Sequence, residues 1–238
     1  MRRSLYLGAA LAISLTLIAA TPVASEASAA KPAVSTLLDR WKLALDLRTH
    51  PNQNPLPSSR GGVAVWSLRG SRSLKHDGNY PLLPSFSPAF GSTEIKAWHG
   101  GARGCVRLPA IGVNTNTKSS RPLCTGRVPA EAAFARPSAS QLAVVQWTSP
   151  FDGSVSISHD AVSDVDGACG DGVSYSVYFG TTPLAAVNVA NKAGTELAAM
   201  TQTIKKGQSF TFIVDPGPAR NAGCDTTQLQ ITIDHITP

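Results

Sequence analysis

Three aspartates, Asp164, Asp166 and Asp171, fall within eight residues of one another in a glycine-rich stretch. Carboxylates crowded on a loop are the hard oxygen donors that calcium takes, together with backbone carbonyls and water. A fourth, Asp225, stands beside Cys224 and comes alongside them if that cysteine is bonded to Cys169. No cofactor is required by the sequence, and a structural calcium held by Asp164, Asp166, Asp171 and Asp225 is the one candidate. The competing reading is plain turn and cap chemistry: aspartate and glycine are ordinary turn residues, and the run lacks the glutamate that closes an EF-hand loop.

Aromatic side chains with polar neighbours are the second chemistry-bearing group, because sugars present apolar ring faces edged with hydroxyls. Trp98 beside His99, and Tyr178, are the candidate ligand-binding residues. Tyr178 points opposite Tyr175 and Phe179 along its strand, whereas Trp66 and Trp147 sit in apolar company and belong to the core. An enzyme is not expected. The chain has no GxSxG elbow, no HExxH and no SxxK. Beyond the N-terminal segment its only glutamates are Glu94, Glu131 and Glu196, none in a context that marks a glycosidase pair. A hydrolase assembled in space from His99 or His159, an aspartate and a serine is the weakest alternative.

These residues need elements to position them, and the sequence supplies strands. Val155 and Ile157 alternate with serines. Val173, Tyr175, Val177 and Phe179 alternate with Ser174, Ser176 and Tyr178, and Leu229, Ile231 and Ile233 alternate with Gln230, Thr232 and Asp234. Period two with one apolar side is the pattern of a half-buried antiparallel strand. Turns are marked at Asp152-Gly153, Lys206-Gly207 and Asp215-Pro216-Gly217-Pro218. Short strands at this spacing predict an all-β, antiparallel sandwich of jelly-roll type, best defined over 141–236 and extending over 61–238 as one domain.

Upstream, Ala33 to Leu47 predicts an amphipathic helix whose stripe is Leu37, Leu38, Trp41, Ala44 and Leu45, with Ser35 or Thr36 to cap it and Pro51 and Pro55 beyond it. It joins a Pro- and Asn-rich loop, so 30–60 is read as an N-terminal extension. Further strands are expected around Val63 to Leu68, Glu94 to Trp98 and Val106 to Val113. Between them, residues 70–92 carry the Leu, Phe and Pro of a long loop laid over apolar surface rather than of disorder.

Residues 1–29 read as a secretory signal peptide. Arg2 and Arg3 precede an apolar run, and the small residues Ala27-Ser28-Ala29 suit cleavage after Ala29. The expected location is outside the cytoplasm, with no stable membrane anchor in the mature chain. Loss of Arg2, Arg3 and Glu26 lowers the net charge of +6 by a single unit. A basic surplus favours solubility and anionic surfaces or polymers. No run of five or six basic residues occurs, which argues against nucleic acid. Four cysteines, Cys105, Cys124, Cys169 and Cys224, are expected to be oxidised. Of three pairings, Cys105 with Cys124 and Cys169 with Cys224 is the one expected, since each pair sits in matching loop-like context. No Cys/His spacing supports zinc.

In chain order, Asp46-Leu47, Asn54-Pro55, Val65-Trp66-Ser67, Trp98-His99-Gly100, Pro109, Val113-Asn114, Val145-Gln146-Trp147-Thr148-Ser149-Pro150 and Asp152-Gly153 resemble a type of bacterial secreted module. Such modules occur in exported proteins, some with PEP-CTERM-type anchors, and are jelly-roll domains similar to carbohydrate-binding modules. The resemblance covers most of 40–235 and is strongest after Val144. Here Trp66-Ser67 is followed by Leu68-Arg69-Gly70 instead of Tyr-Gly, extra residues separate Asn54-Pro55 from Trp66, the C-terminal sorting tail is absent, and Cys169 and Cys224 stand beside two further blocks that resemble the pattern, Gly170-Asp171-Gly172-Val173 and Asp225-Thr226-Thr227. What the resemblance implies is a noncatalytic, exported, ligand-presenting domain with a polysaccharide or a cell-surface partner as candidate ligand. The glycan reading expects Tyr178 or Trp98 exposed on a concave face. The alternative, a structural or protein-interaction module of the cell surface, expects an exposed Leu37, Leu38, Trp41 stripe.

Overall fold

A computed structural model describes residues 37–101, 107–123, 126–165 and 169–237. In chain order the elements are β1 (Leu37–Lys42), α1 (Leu43–Thr49), β2 (Leu56–Ser58), β3 (Gly61–Gly70), β4 (Ser85–Ser87), β5 (Ile95–His99) and β6 (Ala110–Asn114). There follow β7 (Arg121–Leu123), β8 (Gly126–Val128), β9 (Ala133–Arg136), β10 (Ala143–Thr148), β11 (Gly153–Asp164) and β12 (Val173–Phe179). The chain finishes with β13 (Thr182–Val189), β14 (Gly194–Ile204), β15 (Ser209–Asp215) and β16 (Thr227–Ile236). The described residues belong to one compact unit, and no described helix is long and apolar enough to cross a membrane.

The expected all-β antiparallel sandwich is what the strands build. One sheet runs β14-β11-β16-β9-β6-β5-β4, with β1 added beside β16, and the other runs β13-β12-β15-β10-β3-β2. From β10 onward the chain passes back and forth between them, so β10, β12, β13 and β15 lie in the second sheet and β11, β14 and β16 in the first. The alternating residues point as their period requires. Val155, Ile157, Leu229, Ile231 and Ile233 face Val177, Tyr175, Phe210, Phe212 and Trp147 across the interior, with Trp66 among them. Burial of such large apolar side chains is the main favourable contribution to folding.

The N-terminal helix is present but short, and its bounds are a correction: of the predicted Ala33 to Leu47, residues 33–36 lie outside the described residues, 37–42 form a strand, and the helix is Leu43–Thr49. β9 pairs with β16 over Thr227 to Leu229 alone, which leaves the backbone of β16 open from Thr232 to Ile236, and β1 fills that vacancy. Satisfying a buried sheet edge outweighs weak local helix propensity. Trp41, 4 % exposed, turns inward against Trp147 at 5.3 Å and Phe151 at 5.6 Å. Directly opposite Asp234 on β16, Arg40 grips its carboxylate with two donors at 2.6 and 2.9 Å. Leu37 and Leu38 stay 47 % and 53 % exposed, so the apolar stripe is divided.

The expected bond between Cys169 and Cys224 is present, with Cα atoms 5.5 Å apart, and it ties the segment before β12 to the segment before β16. Cys105 and Cys124 lie outside the described residues. Residues 70–92 do lie over apolar surface. Leu74 and Tyr80 pack on Leu142, Val144 and Ile213, on the outer face of the second sheet.

Candidate functional site

That outer face is built by side chains that alternate with the core. Register places Tyr178 of β12 opposite Thr211 of β15, and Thr211 opposite Gln146 of β10. Ser174 likewise lies opposite Asp215. Serine, threonine and glutamine on this face are the wet half of the period-two pattern.

Across it runs the segment between β3 and β4, fixed at both ends. Ser71 Oγ accepts the Leu142 N–H at 2.7 Å, the Gln141 side-chain amide donates to Ser71 O at 2.9 Å, and Arg69 donates to Tyr80 O at 2.7 Å. The fixed segment carries His76 over the sheet. Its Nδ1 lies 3.0 Å from the Tyr178 hydroxyl and its Nε2 lies 3.6 Å from Asp215 Oδ2. A tautomer with hydrogen on Nε2 faces Asp215 and leaves Nδ1 to accept the Tyr178 O–H. Asp215 is in turn held by the Gly217 N–H at 2.8 Å, in a turn that Gly217 completes at φ +77°. The Tyr178–His76 pair stands as a partition with a cleft on each side. The first, about 210 Å3, is lined by Asp77, Tyr80, Gln146, Ser209 and Thr211. The second, about 540 Å3, is lined by Ser174, Ser176, Asn188, Asp215 and Arg220. Only the second falls within the ~300–1,000 Å3 usual for ligand pockets.

Of the three sequence-predicted ligand residues, Tyr178 alone reaches this site. Trp98 and His99 are successive residues of β5, so they leave the sheet on opposite faces. Trp98 packs half-buried against the main core, donates its Nε1–H to Pro51 O at 3.0 Å and lies 5.5 Å from Phe86. His99 is buried beside Phe90 at 5.8 Å, with Nδ1 2.9 Å from Gly101 O. Burial first, and the nearby Arg107 second, hold its pKa below the usual histidine value against the opposing pull of that carbonyl. Both are committed to architecture.

The aspartates are divided as well. Asp171 is exposed and Asp225 is fully buried, while Asp164 ends β11 and Asp166 lies outside the described residues. The disulfide brings their loops together as expected: a methyl group placed on Gly170 would sit 3.5 Å from Asp225 Oδ1. Among the described residues no three His, Cys, Asp or Glu side chains are grouped as a metal cage would group them.

Neither a family model nor a curated protein sequence matches the chain. Among solved structures it is similar to the CBM51-2 and INT domains of Clostridium perfringens ZmpB, solved in complex with GlcNAc, at 11 % identity over 45 % of this chain and 22 % of that one, with a TM-score of 0.33. The CBM51 of Clostridium perfringens GH95, in complex with methyl-galactose, is 12 % identical over 52 % of this chain and 86 % of its own, with a TM-score of 0.34. A CBM4 structure gives 11 % identity over 50 % and 77 % of the two chains and a TM-score of 0.27. The chain thus spans about a fifth of the first of these. Such distant likeness does not bear on individual residues.

Sequence reasoning missed His76, Asp215 and Arg220. His76 lies 102 positions from Tyr178 in a loop without periodicity, and Asp215 reads as a turn residue because it is one. The arrangement offers a partly exposed phenol ring between two clefts whose walls are hydroxyls, amides, the carboxylates of Asp77 and Asp215 and one guanidinium. That is chemistry for holding a polyol.

Proposed function

We propose that the chain is an exported, noncatalytic β-sandwich module that binds a glycan on the outer face of its six-stranded sheet, with Tyr178 as the aromatic platform. The observation that carries this reading is the position of Tyr178, a half-buried side chain that lines both clefts with its hydroxyl on His76. The apolar faces of a sugar stack on such a ring while the surrounding hydroxyl and amide groups take its polar edge. Export is supported by the signal-like N-terminus and by the Cys169–Cys224 bond, since disulfides persist in oxidising compartments. The protein-interaction reading loses one of its anchors, because Trp41 is buried between Trp147 and Phe151.

Thermal melts of the oxidised protein against soluble polysaccharides test the proposal, because a ligand that binds only the folded state raises the midpoint by mass action. A polysaccharide that shifts the wild type should lose at least about tenfold in affinity with Tyr178→Ala, the equivalent of about 1.4 kcal/mol. The Trp98→Phe variant, which keeps the packing but removes the hydrogen bond to Pro51, should bind unchanged. A shift retained in Tyr178→Ala would place the glycan elsewhere. A parallel melt with calcium tests the loop aspartates, with Asp171→Ala as the control.

A further inference from the structure

The two walls of the larger cleft differ in what they leave unspent. Asp215, its one carboxylate, already accepts from Gly217 N at 2.8 Å and faces His76 Nε2 at 3.6 Å. Asn188 has its side-chain oxygen occupied by the Ser174 hydroxyl at 2.7 Å, which leaves its amide N–H groups to donate. Arg220 lines the same cleft with an exposed side chain, and among the described residues no carboxylate stands within ion-pair distance of it. Arg220 and the Asn188 amide thus have donors to spare, while the cleft's one carboxylate is turned toward His76 and the Gly217 N–H. A cleft with surplus donors and a guanidinium fits a ligand that is rich in acceptors and negatively charged, since charge-assisted hydrogen bonds from arginine to oxyanions are the strong ones.

A second observation concerns the backbone. Arg220 adopts φ +56°, the left-handed region that glycine and asparagine occupy more cheaply, and its N–H closes the turn on Gly217 O at 3.1 Å. A long cationic side chain stands here at a position where the backbone alone favours glycine. Strained positions of this kind cluster at ligand-contacting sites. The surplus of basic residues over the whole chain adds attraction of the same sign.

Resting on the glycan reading above, we propose that the larger cleft takes an acidic sugar unit of a polysaccharide, with Arg220 and the Asn188 amide donating to its anionic group and Tyr178 carrying the ring. The shared chemistry is an oxyanion on a pyranose, supplied by a uronate carboxylate or by a sulfate ester.

The test is calorimetric titration of the full oxidised protein with four probes: an oligogalacturonate, the same oligomer fully methyl-esterified, a chondroitin sulfate oligosaccharide and a neutral cello-oligosaccharide. The expected result is binding of at least one anionic probe, weakened about tenfold by Arg220→Gln and partly restored by Arg220→Lys, as the loss of one charge-assisted contact requires. Esterification should cost a similar factor if the carboxylate is the group held. If the chondroitin sulfate alone binds, and chemically desulfated chondroitin, which keeps the glucuronate, does not, sulfate is the source. Equal affinity for the galacturonate and its ester, with Arg220→Gln silent, overturns the acidic-sugar assignment and leaves the Tyr178 platform standing. Binding of the neutral probe alone, abolished by Tyr178→Ala, has the same meaning. Failure of all four probes overturns the assignment as well, and the wider polysaccharide panel then decides the glycan reading separately. Arg220 is exposed, so equal melting temperatures of wild type and variants confirm that folding is not what changed.

Discussion

Replacing Asp46 by leucine lowers the stability of the protein by about 3 kcal/mol, the scale expected when a buried donor is orphaned and a hydrogen bond to a carboxylate is lost together. Asp46 sits in α1 at 1 % exposure. Its Oδ2 accepts the indole N–H of Trp66 at 2.7 Å and its Oδ1 accepts the Ser59 N–H at 2.5 Å. Trp66 is fully buried, so its N–H has nowhere else to donate once the carboxylate is gone. Burial raises the Asp46 pKa, with those two hydrogen bonds opposing it, so part of the gain from hydrogen bonding is offset by desolvation. Leucine removes the desolvation cost too, which keeps the expected loss near 3 kcal/mol instead of higher. Asparagine discriminates the cause: it has a single side-chain acceptor and must turn its amide donors toward one of the two N–H groups, so Asp46→Asn should recover only part of the loss. Urea unfolding of the oxidised protein, wild type against both variants, reads this directly. If asparagine and leucine cost nothing, the hydrogen bond from Trp66 does not fasten α1 to β3.

The same contacts explain what the sequence resemblance was made of. Asn54 copies a strand: its side-chain oxygen accepts the Leu68 N–H and its amide donates to Leu68 O, both at 2.8 Å, so it continues the pairing of β3 past Leu56 and shares Leu68 O with the Leu83 N–H at 3.0 Å. Asp46, Asn54 and Trp66 therefore form one fastening, and their order along the chain reports architecture without reporting a ligand. The period-two segments were legible for the same reason, since burial of one face of β12 and β16 leaves an alternation that nothing else produces. β13 and β14 were not foreseen. They are the outer strands of the two sheets at one side of the sandwich; Gly194 to Thr203 carry no fully buried side chain, and β13 sets Ala185, Val187 and Val189 toward the core with Val189 alone buried, so the core face written in their sequence is weak. The β1 error has a similar root, for Leu37, Leu38 and Trp41 suit a helical stripe as well as a strand, and the open edge of β16 that decides between them lies almost two hundred residues away. Of the site, Tyr178 was legible because its strand shows which face it is on. His76 was not, because only the course of the segment over Leu142, Val144 and Ile213 brings it there.

Acid unfolding should pass through a second buried group. His159, 2 % exposed, lies in the sandwich interior with its ring 5.7 Å from that of Tyr175 and 5.5 Å from that of Phe212, and neither of its ring nitrogens has a hydrogen-bond partner among the described residues. Desolvation lowers its pKa from 6.5 to about 4. Between those values the unfolded chain binds a proton that the native state refuses, so stability is complete above pH 6.5 and falls as the pH drops toward 4. At 1.36 kcal/mol per pH unit the loss approaches about 3 kcal/mol. Asp46 acts in the opposite direction. Its raised pKa means that the folded state holds a proton more tightly than the unfolded one, so its contribution declines as the pH rises above the ordinary carboxylate value of 3.8. The two slopes oppose each other over the same acidic range, and the histidine dominates as long as its ring remains unpaired. His159→Leu removes the larger one. Its stability, measured by urea unfolding at pH 7 and at pH 4.5, should be flat or slightly higher at the acidic end, whereas the wild type should lose about 2 kcal/mol or more over the same interval. A wild-type loss that persists undiminished in His159→Leu would mean that the acid-sensitive proton is taken up elsewhere.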